Sequence, residues 1–168
     1  MTSPPDSNDL PALVITKAAS IPARSAHKPW LVQDLWTHNA VGIIVGPPKT
    51  AKTRLVLDLA VSVASATPCL GRFDVAANGP VLLFLAEDSL PLTKVRLEAI
   101  CEHKSLALDA LDLYFIEAPT LWLDLDDDRR RLQQLIGRLR PSMLILDPIE
   151  RLFRTDENGP RQVSRLLG

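Results

Sequence analysis

The sequence predicts an α/β fold in which a mainly parallel sheet is covered by helices on both faces, giving three layers. Short apolar runs bounded by turn residues alternate along the chain with longer segments that carry helix-forming residues and helix stop signals. This alternation is typical of parallel strands joined by right-handed crossovers. With 168 residues, of which 46% are hydrophobic and 23% charged, the chain has room for one globular domain.

The first part of the chain differs in composition from the rest. Residues 1–27 carry several prolines among scattered Ser, Asp and Asn, without a sustained apolar period, which predicts a flexible tail. The domain is expected to occupy residues 28–168. It opens at "KPWLVQDLW", where large apolar residues predict a short turn or helix at the edge of the core.

The first strand and helix of the domain are predicted on either side of a Gly/Pro loop. The run "VGIIV" at residues 41–45 is short and β-branched, and it indicates a buried strand. The segment "KTRLVLDLAVSVASA" that follows the loop carries helix formers that are apolar nearly all round, which indicates a buried helix.

The second half of the chain repeats the alternation. "VLLFLA" is the second predicted strand, and "EDSLPLTKVRLEAICEH" is a loop and a helix with Pro91 in its first turn and Val95, Ile100 and the leucines on its apolar side. "LDLYFIEAP" is the third strand. "LDLDDDRRRLQQLIGRLRPS" is a helix with acids in its first turn that ends before Pro141. "SMLILDP" is the fourth strand, "IERLFRTDENG" a loop and "PRQVSRLLG" the opening of another helix.

Charge and hydropathy exclude several classes of protein. The net charge of -1 gives the molecule no electrostatic bias toward nucleic acid, and no apolar run approaches the length of a membrane span. The N-terminus lacks the pattern of a secretory signal, so we expect a cytoplasmic protein without a membrane partner. Cys69 and Cys101 have no metal-type spacing and are predicted to be small buried hydrophobes.

The loop "GPPKTAKT" has the spacing of a phosphate-binding loop. Such loops use backbone N–H groups at a helix N-terminus, a lysine that reaches the β/γ-phosphates and a hydroxyl that ligates magnesium. The residues predicted to hold a nucleotide are Gly46, Pro47, Pro48, Lys49, Thr50, Ala51, Lys52, Thr53 and Arg54. Ala51 stands where the pattern has a glycine, which costs about 1 kcal/mol if a left-handed conformation is needed. The alternative is an ordinary turn between strand and helix.

Two carboxylates follow predicted strands. Asp147 ends "LILD", where it can hold magnesium or its water shell, or else act as a helix cap or loop acid. Glu87 follows the second strand, at the sheet edge where ligands of open α/β sheets bind. There it can orient and deprotonate an attacking water, or else face solvent. Asp88 is predicted to cap the next helix.

Together these segments resemble the RecA-like P-loop ATPases of the RepA-type hexameric replicative-helicase group and the bacterial AAA family ATPases similar to them. The likeness covers residues 29–168. It rests on "PWLVQDLW", "GPPKTAKTRLVLDLAVSVA", "GRFDVAANGPVLLFLAEDS" with Arg96 in the next helix, "LILDPIERLF" and "DENGPRQVSRLL". In this group a residue bulkier than glycine before the lysine is familiar.

The resemblance implies ATP and Mg²⁺ as ligands, with Lys52 and Thr53 as the Walker A pair, Glu87 as the catalytic glutamate and Asp147 as the Walker B aspartate. It also implies a ring of identical subunits that acts on single-stranded DNA in replication or in mobile elements. The family continues into a strand with a polar sensor and a basic finger, so we expect the core to be incomplete at its C-terminus. The alternatives are a P-loop kinase for a small molecule and a non-hydrolysing interaction module or remnant. A kinase lid would have only "DDDRRRLQQL" as its candidate.

Overall fold

The computed structural model describes residues 15–20 and 30–154, and the account that follows is confined to them. The strands are β1 (Trp30–Val32), β2 (Trp36–Thr37), β3 (Val81–Leu85), β4 (Leu113–Phe115) and β5 (Met143–Asp147). The helices are α1 (Lys52–Ser65), α2 (Leu90–His103) and α3 (Asp126–Leu139). No helix in this part of the chain is long and apolar enough to cross a membrane.

The main sheet is built around β3. Its order is β4-β3-β5, and both pairings of β3 are parallel. Val81 pairs with Leu113 on one side and with Met143 on the other, and Leu85 at the far end of β3 pairs with Asp147. The first four residues of β3 are buried, as expected for an apolar strand that is covered on both faces. The parallel register brings the carboxyl ends of β3 and β5 to one edge of the sheet.

Apolar side chains pack on both faces of this sheet. Leu83 belongs to a cluster that includes Leu57 of α1 and Leu97 of α2. The next residue, Phe84, belongs to a second cluster with Leu132 of α3. Successive strand residues point to opposite faces, so β3 contributes to both clusters. The predicted α/β class and its three layers are confirmed.

The lead-in segment forms a small hairpin where the sequence predicted a turn or helix. β1 and β2 are antiparallel, and Trp30 pairs with Thr37. Two hydrogen bonds to a later part of the chain hold the hairpin in place. Gln33 N donates to Asp74 O at 2.8 Å, and Ala76 N donates to Leu31 O at 2.9 Å. These partners lie about forty residues further along the chain, so the spacing of the tryptophans alone could not indicate them.

The strand predicted at residues 41–45 does not form. Val41 is 99% exposed and Val45 is 86% exposed. Between residues 30 and 154, the backbone of this segment finds no hydrogen-bonding partner. A strand exists only when another strand satisfies its backbone groups, and a short apolar run carries no information about such a partner.

The predicted apolar side of α2 is partly wrong. Val95 is 61% exposed, while the buried residues of this helix are Thr93, Leu97 and Cys101. These recur at i, i+4 and i+8, and two of them are only weakly apolar, so the buried stripe does not stand out in the sequence. Ile100 packs against the core as predicted. The helix predicted at residues 160–168 and all but residues 15–20 of the predicted tail lie outside the described residues.

Both cysteines are free and buried, as predicted. Burial raises the pKa of the Cys69 thiol to about 12, and a hydrogen bond with Asp58 acts in the same direction. Burial also raises the pKa of Cys101. The thiols therefore stay protonated at neutral pH and act as apolar groups of the core.

A largely buried ion pair joins α1 to the end of α2. Lys104 Nζ lies 3.2 Å from Asp58 Oδ1, and the two side chains are only 9% and 16% exposed. The same ammonium group donates to Ser62 Oγ at 3.0 Å and to Pro68 O at 2.8 Å. Asp58 Oδ2 also accepts from Leu70 N at 2.7 Å. Both charged groups therefore have hydrogen-bonding partners in addition to each other, which is the condition for a buried ion pair to be tolerated.

Replacement of Lys104 by Met should lower the free energy of unfolding by about 3–5 kcal/mol, because Asp58 would keep a buried charge without its cation. Urea denaturation followed by circular dichroism measures the loss. The control is Lys94→Met, which removes an exposed pair with Glu98 at 3.7 Å, with side chains 68% and 52% exposed. This change should cost less than about 0.5 kcal/mol. Similar losses in the two variants would contradict the assignment.

Candidate nucleotide-binding site

The Gly/Pro loop ends where α1 begins, at Lys52. Thr50 Oγ1 donates to Pro47 O at 2.8 Å, and Lys52 Nζ donates to Gly46 O and Pro47 O at 2.9 Å each. The lysine therefore anchors its ammonium group to the loop that precedes it. These local bonds give the loop a defined shape even though residues 41–45 are not paired.

The N–H groups of the loop are available to a ligand. Along residues 30–154, no acceptor is found for the N–H groups of residues 49–54, which include the first turn of α1. The cap position has no side chain that could accept from them. A row of free N–H groups at a helix N-terminus is an anion-binding site, strengthened by the positive end of the helix dipole.

Ala51 adopts the conformation that the glycine of the usual pattern would favour. Its φ is 61° and its ψ is 25°, in the left-handed region, and Lys49 also has a positive φ of 64°. An alanine there carries a strain of about 1–2 kcal/mol that a glycine would not. The loop therefore accommodates an alanine in this left-handed position at a cost in stability.

Two carboxylates reach the same edge of the sheet as the loop. Ala86 N donates to Asp147 O at 2.8 Å, which extends the pairing of β3 and β5 one residue beyond β3. Glu87 follows at once and is exposed, whereas Asp147 is half-buried at the end of β5. Because Glu87 follows Ala86 directly, it lies beside the end of β5 and its charge acts on Asp147.

The pKa of Asp147 shows which charges meet at this edge. Burial raises it above its ordinary value, and the nearby charges of Glu87, Asp88 and, more weakly, Glu150 raise it further. The charge of Lys52 lowers it. The loop lysine and the two predicted carboxylates therefore lie within electrostatic reach of one another, and the site has an excess of negative charge.

Asp88 does not cap α2, contrary to the prediction. The cap residue is Ser89, which makes no side-chain hydrogen bond to the helix. Asp88 instead forms an ion pair with Arg96, in the middle of α2. The pair joins the loop after β3 to the middle of α2 and neutralises one of the crowded carboxylates. The sequence does show an acid and a base eight residues apart. That spacing alone does not tell whether Asp88 pairs with Arg96 or caps α2.

The remaining predicted residues occupy the rim of the site. Pro47, Pro48 and Lys49 are exposed, as is Arg54, while Thr53 is half-buried in the first turn of α1. Glu150, which sequence reasoning did not single out, adds a further negative charge near Asp147. It lies three residues after Asp147, at "DPIE", so its place in the sequence was the signal that could have indicated it.

The donor set fits a magnesium ion held together with phosphates. No group of three or more His, Cys, Asp or Glu side chains in the described ranges could hold a metal by itself. Magnesium commonly takes one or two protein oxygens and completes its shell with phosphate and water. Asp147, whose pKa is raised by burial and then by the neighbouring carboxylates, and the Thr53 hydroxyl would supply such oxygens.

The arginines of "DDDRRR" lie on the exposed side of α3. Each pairs with the acid three residues before it: Arg129 with Asp126, Arg130 with Asp127 and Arg131 with Asp128. Each arginine therefore has an acidic partner in its own helix turn, as expected for a solvated helix face.

The fold and the site define a class of protein. The domain has a parallel three-stranded sheet between helices, a loop with free N–H groups at the start of α1, and carboxylates at the ends of β3 and β5. These features together are typical of a nucleotide-binding, ATPase-like domain. A family model described as an AAA domain matches residues 4–168, and the chain belongs to that family. No curated protein and no solved structure matches the chain.

Replacement of Ala51 by Gly should raise the free energy of unfolding by up to about 1 kcal/mol, because relief of left-handed strain outweighs the extra freedom of glycine in the unfolded chain. Thermal or urea denaturation measures the change. Ala60→Gly is the matched control. Ala60 is fully buried inside α1, so the same chemical change should destabilise there by about 1 kcal/mol. Destabilisation by both variants would contradict the strain at Ala51.

Replacement of Glu87 by Gln should lower the pKa of Asp147, and replacement of Lys52 by Met should raise it further, since these charges act on it in opposite directions. Carbon-13 NMR titration of the Asp147 carboxyl group measures both shifts. Glu150→Gln should lower the pKa by less than Glu87→Gln. An unchanged titration in all three variants would show that the groups do not share one site.

The same group makes stability depend on pH. Because the folded chain holds the Asp147 proton more tightly than the unfolded chain does, its contribution to stability is full below its ordinary pKa. That contribution is lost as the pH rises through the raised value. Glu87→Gln should make this loss smaller, which denaturation at a series of pH values would measure.

Proposed function

We propose that this domain binds ATP with Mg²⁺ and hydrolyses it at the edge where β3, β5 and the loop before α1 meet. The observation that carries the proposal is the common electrostatic environment of Lys52, Glu87 and Asp147 beside a row of free N–H groups. A phosphate loop alone would support binding only. The two carboxylates at the strand ends add what hydrolysis needs.

Each residue has a distinct task in the proposed reaction. The N–H groups of residues 49–54 donate to phosphate oxygens, and Lys52 exchanges the carbonyl oxygens of Gly46 and Pro47 for the oxygens of the terminal phosphates. A magnesium ion, held through the Thr53 hydroxyl and Asp147, would neutralise phosphate charge. Glu87 orients a water molecule and accepts its proton as the water attacks the terminal phosphorus, while the bond from that phosphorus to the bridging oxygen breaks and ADP leaves.

The Asp88–Arg96 pair supports the assignment of Glu87 as the base. Asp88 is the neighbouring acid, but its charge is already balanced by a guanidinium group. Glu87 is exposed and forms no ion pair within residues 30–154. Of the two adjacent carboxylates, Glu87 is therefore the one free to face water and substrate.

At a finer level, we assign the domain to the RepA-type group of ring-forming ATPases that act on single-stranded DNA. The support is the sequence resemblance, above all a glutamate that follows the second predicted strand in "FLAEDS". The net charge of -1 offers no general attraction to DNA, so contact with DNA would depend on several subunits arranged together.

Replacement of Glu87 by Gln should lower ATP turnover by about 10²–10⁴-fold while ATP is still bound, because a general base contributes this much to rate. Phosphate release measures turnover, and binding of a fluorescent ATP analogue measures affinity. Glu102→Gln is the matched control. Glu102 is exposed in the last turn of α2, and this variant should keep full turnover.

The same assays separate the alternatives. Equal turnover in the wild type and Glu87→Gln would remove Glu87 from the reaction, and tight ATP binding without turnover in either protein would indicate a non-hydrolysing module. Stimulation of turnover by single-stranded DNA, together with ATP-dependent assembly in sedimentation, is expected for the ring-forming group. Phosphate transfer to a small molecule would indicate a kinase instead.

A further inference from the structure

The side chain of Glu87 has no contact of its own that fixes its position. Glu87 is exposed, and in the described part of the chain its carboxylate forms neither an ion pair nor a hydrogen bond. Such a side chain can adopt several rotamers. A general base must nevertheless lie within hydrogen-bonding distance of the proton that it accepts. The backbone on either side of Glu87 therefore has to determine where the carboxylate lies.

The backbone before Glu87 is held by the sheet. Ala86 N donates to Asp147 O at 2.8 Å, and Leu85 lies opposite Asp147 in the parallel register. Both contacts continue the central strand β3, whose first four residues are buried. This end of the loop is therefore tied to the core of the domain.

The backbone after Glu87 is held by an ion pair. Arg96 Nη1 donates to Asp88 Oδ2, which connects the middle of α2 to the residue that directly follows Glu87. The side chains of Arg96 and Asp88 are 40% and 25% exposed, so the pair is partly shielded from water. Arg96 is itself held in place, because the next residue, Leu97, is 2% exposed and packs in the core. The loop after β3 is thus fixed at both ends.

The position of Arg96 on α2 suits this contact. Leu90 begins the helix, and the six residue steps from it to Arg96 correspond to a rise of roughly 9 Å. Side chains of a helix tilt toward its N-terminus, so the long arginine side chain can reach back to the loop. Lys94, the other permanently charged cation of α2, pairs instead with Glu98 on the exposed side of the helix.

The ion pair also occupies the carboxylate that would compete with Glu87. The charge of Asp88 already acts on Asp147, as that of Glu87 does. Without Arg96, Asp88 would be a second unpaired carboxylate beside Glu87, and it would attract the same water molecules and cations. Arg96 thereby gives two adjacent acids different roles.

We propose that Arg96 is a positioning residue for Glu87, an inference that rests on the hydrolysis proposed above. Through its ion pair with Asp88, it fixes the loop after β3 so that the carboxylate of Glu87, and not that of Asp88, meets the attacking water. In this role Arg96 contacts neither the water nor the phosphates. It acts on the rate only through the placement of the base.

Replacement of Arg96 by Met should lower kcat for ATP hydrolysis by about 10–10²-fold and change KM by less than about twofold, because a displaced base slows the chemical step without removing a contact to ATP. Phosphate release from the full chain at a series of ATP concentrations measures both constants. Arg96→Lys should keep at least about a third of the turnover, since an ammonium group can supply the single N–H contact to Asp88. The control, Lys94→Met, removes an exposed pair on the same helix and should keep full turnover.

Combination with Glu87→Gln separates positioning from a general structural role. If Arg96 acts through Glu87, turnover of E87Q/R96M should equal that of E87Q within about twofold, because a base that is absent cannot be displaced. A damaged fold would instead multiply the two losses. Asp88→Asn should lower kcat as Arg96→Met does, and D88N/R96M should lose no more than either single change.

The outcomes are distinct. Full turnover in Glu87→Gln, or none in the wild type, would overturn the proposed hydrolysis and this inference with it. A loss in Glu87→Gln without a loss in Arg96→Met would overturn the inference alone. The same holds for multiplied losses in E87Q/R96M, for a KM that rises as far as kcat falls, and for equal losses in Arg96→Met and Arg96→Lys.

Discussion

The parallel pairing of β3 with β5 is the constraint on which the rest of the site depends. Leu85 lies opposite Asp147, and the bond from Ala86 N to Asp147 O continues the pairing past the end of β3. As a result, Glu87 can emerge only beside Asp147. The apolar character of β3, which is buried on both faces, fixes its central position, so the placement of the carboxylates follows from packing as much as from their own chemistry.

This placement brings several carboxylates close together, and only some of them have a nearby positive charge. Asp88 has its own cation in Arg96, whereas Asp147 has the charge of Lys52 in its favour and the charges of Glu87, Asp88 and Glu150 against it. Burial adds to the cost of ionising Asp147, which is why its pKa rises. Unbalanced carboxylates beside unpaired N–H groups are the features on which the proposed binding of ATP with Mg²⁺ rests.

Much of this fold could be predicted from the sequence, because its signals are local. The apolar runs of β3 and β5, the acids that open α3 and the proline in the first turn of α2 each act within a few residues. The meeting point of the candidate residues was predictable for the same reason, since the loop and the strand ends are short motifs and parallel strand order brings the strand ends to one edge.

The sequence-based predictions that were wrong depended on contacts with residues outside the segment being predicted. The hairpin of β1 and β2 depends on bonds to Asp74 and Ala76, and the role of Asp88 depends on Arg96 in the next helix. Val95 was predicted to be buried because it is apolar, but the core contacts fall on Thr93 and Cys101. In each case the sequence identifies the residue but not the residue that it contacts in the fold. That contact determines which structure the segment adopts.

The loop before α1 shows why the site can form although the strand predicted before it does not. Its shape is set by bonds within residues 46–52, from the Thr50 hydroxyl and the Lys52 ammonium group to the carbonyl oxygens of Gly46 and Pro47. Its position is set by α1, in which Leu57, Ala60 and Val61 are fully buried. Neither depends on the pairing of residues 41–45. The loop is therefore held from its helical side, through α1 and its own hydrogen bonds.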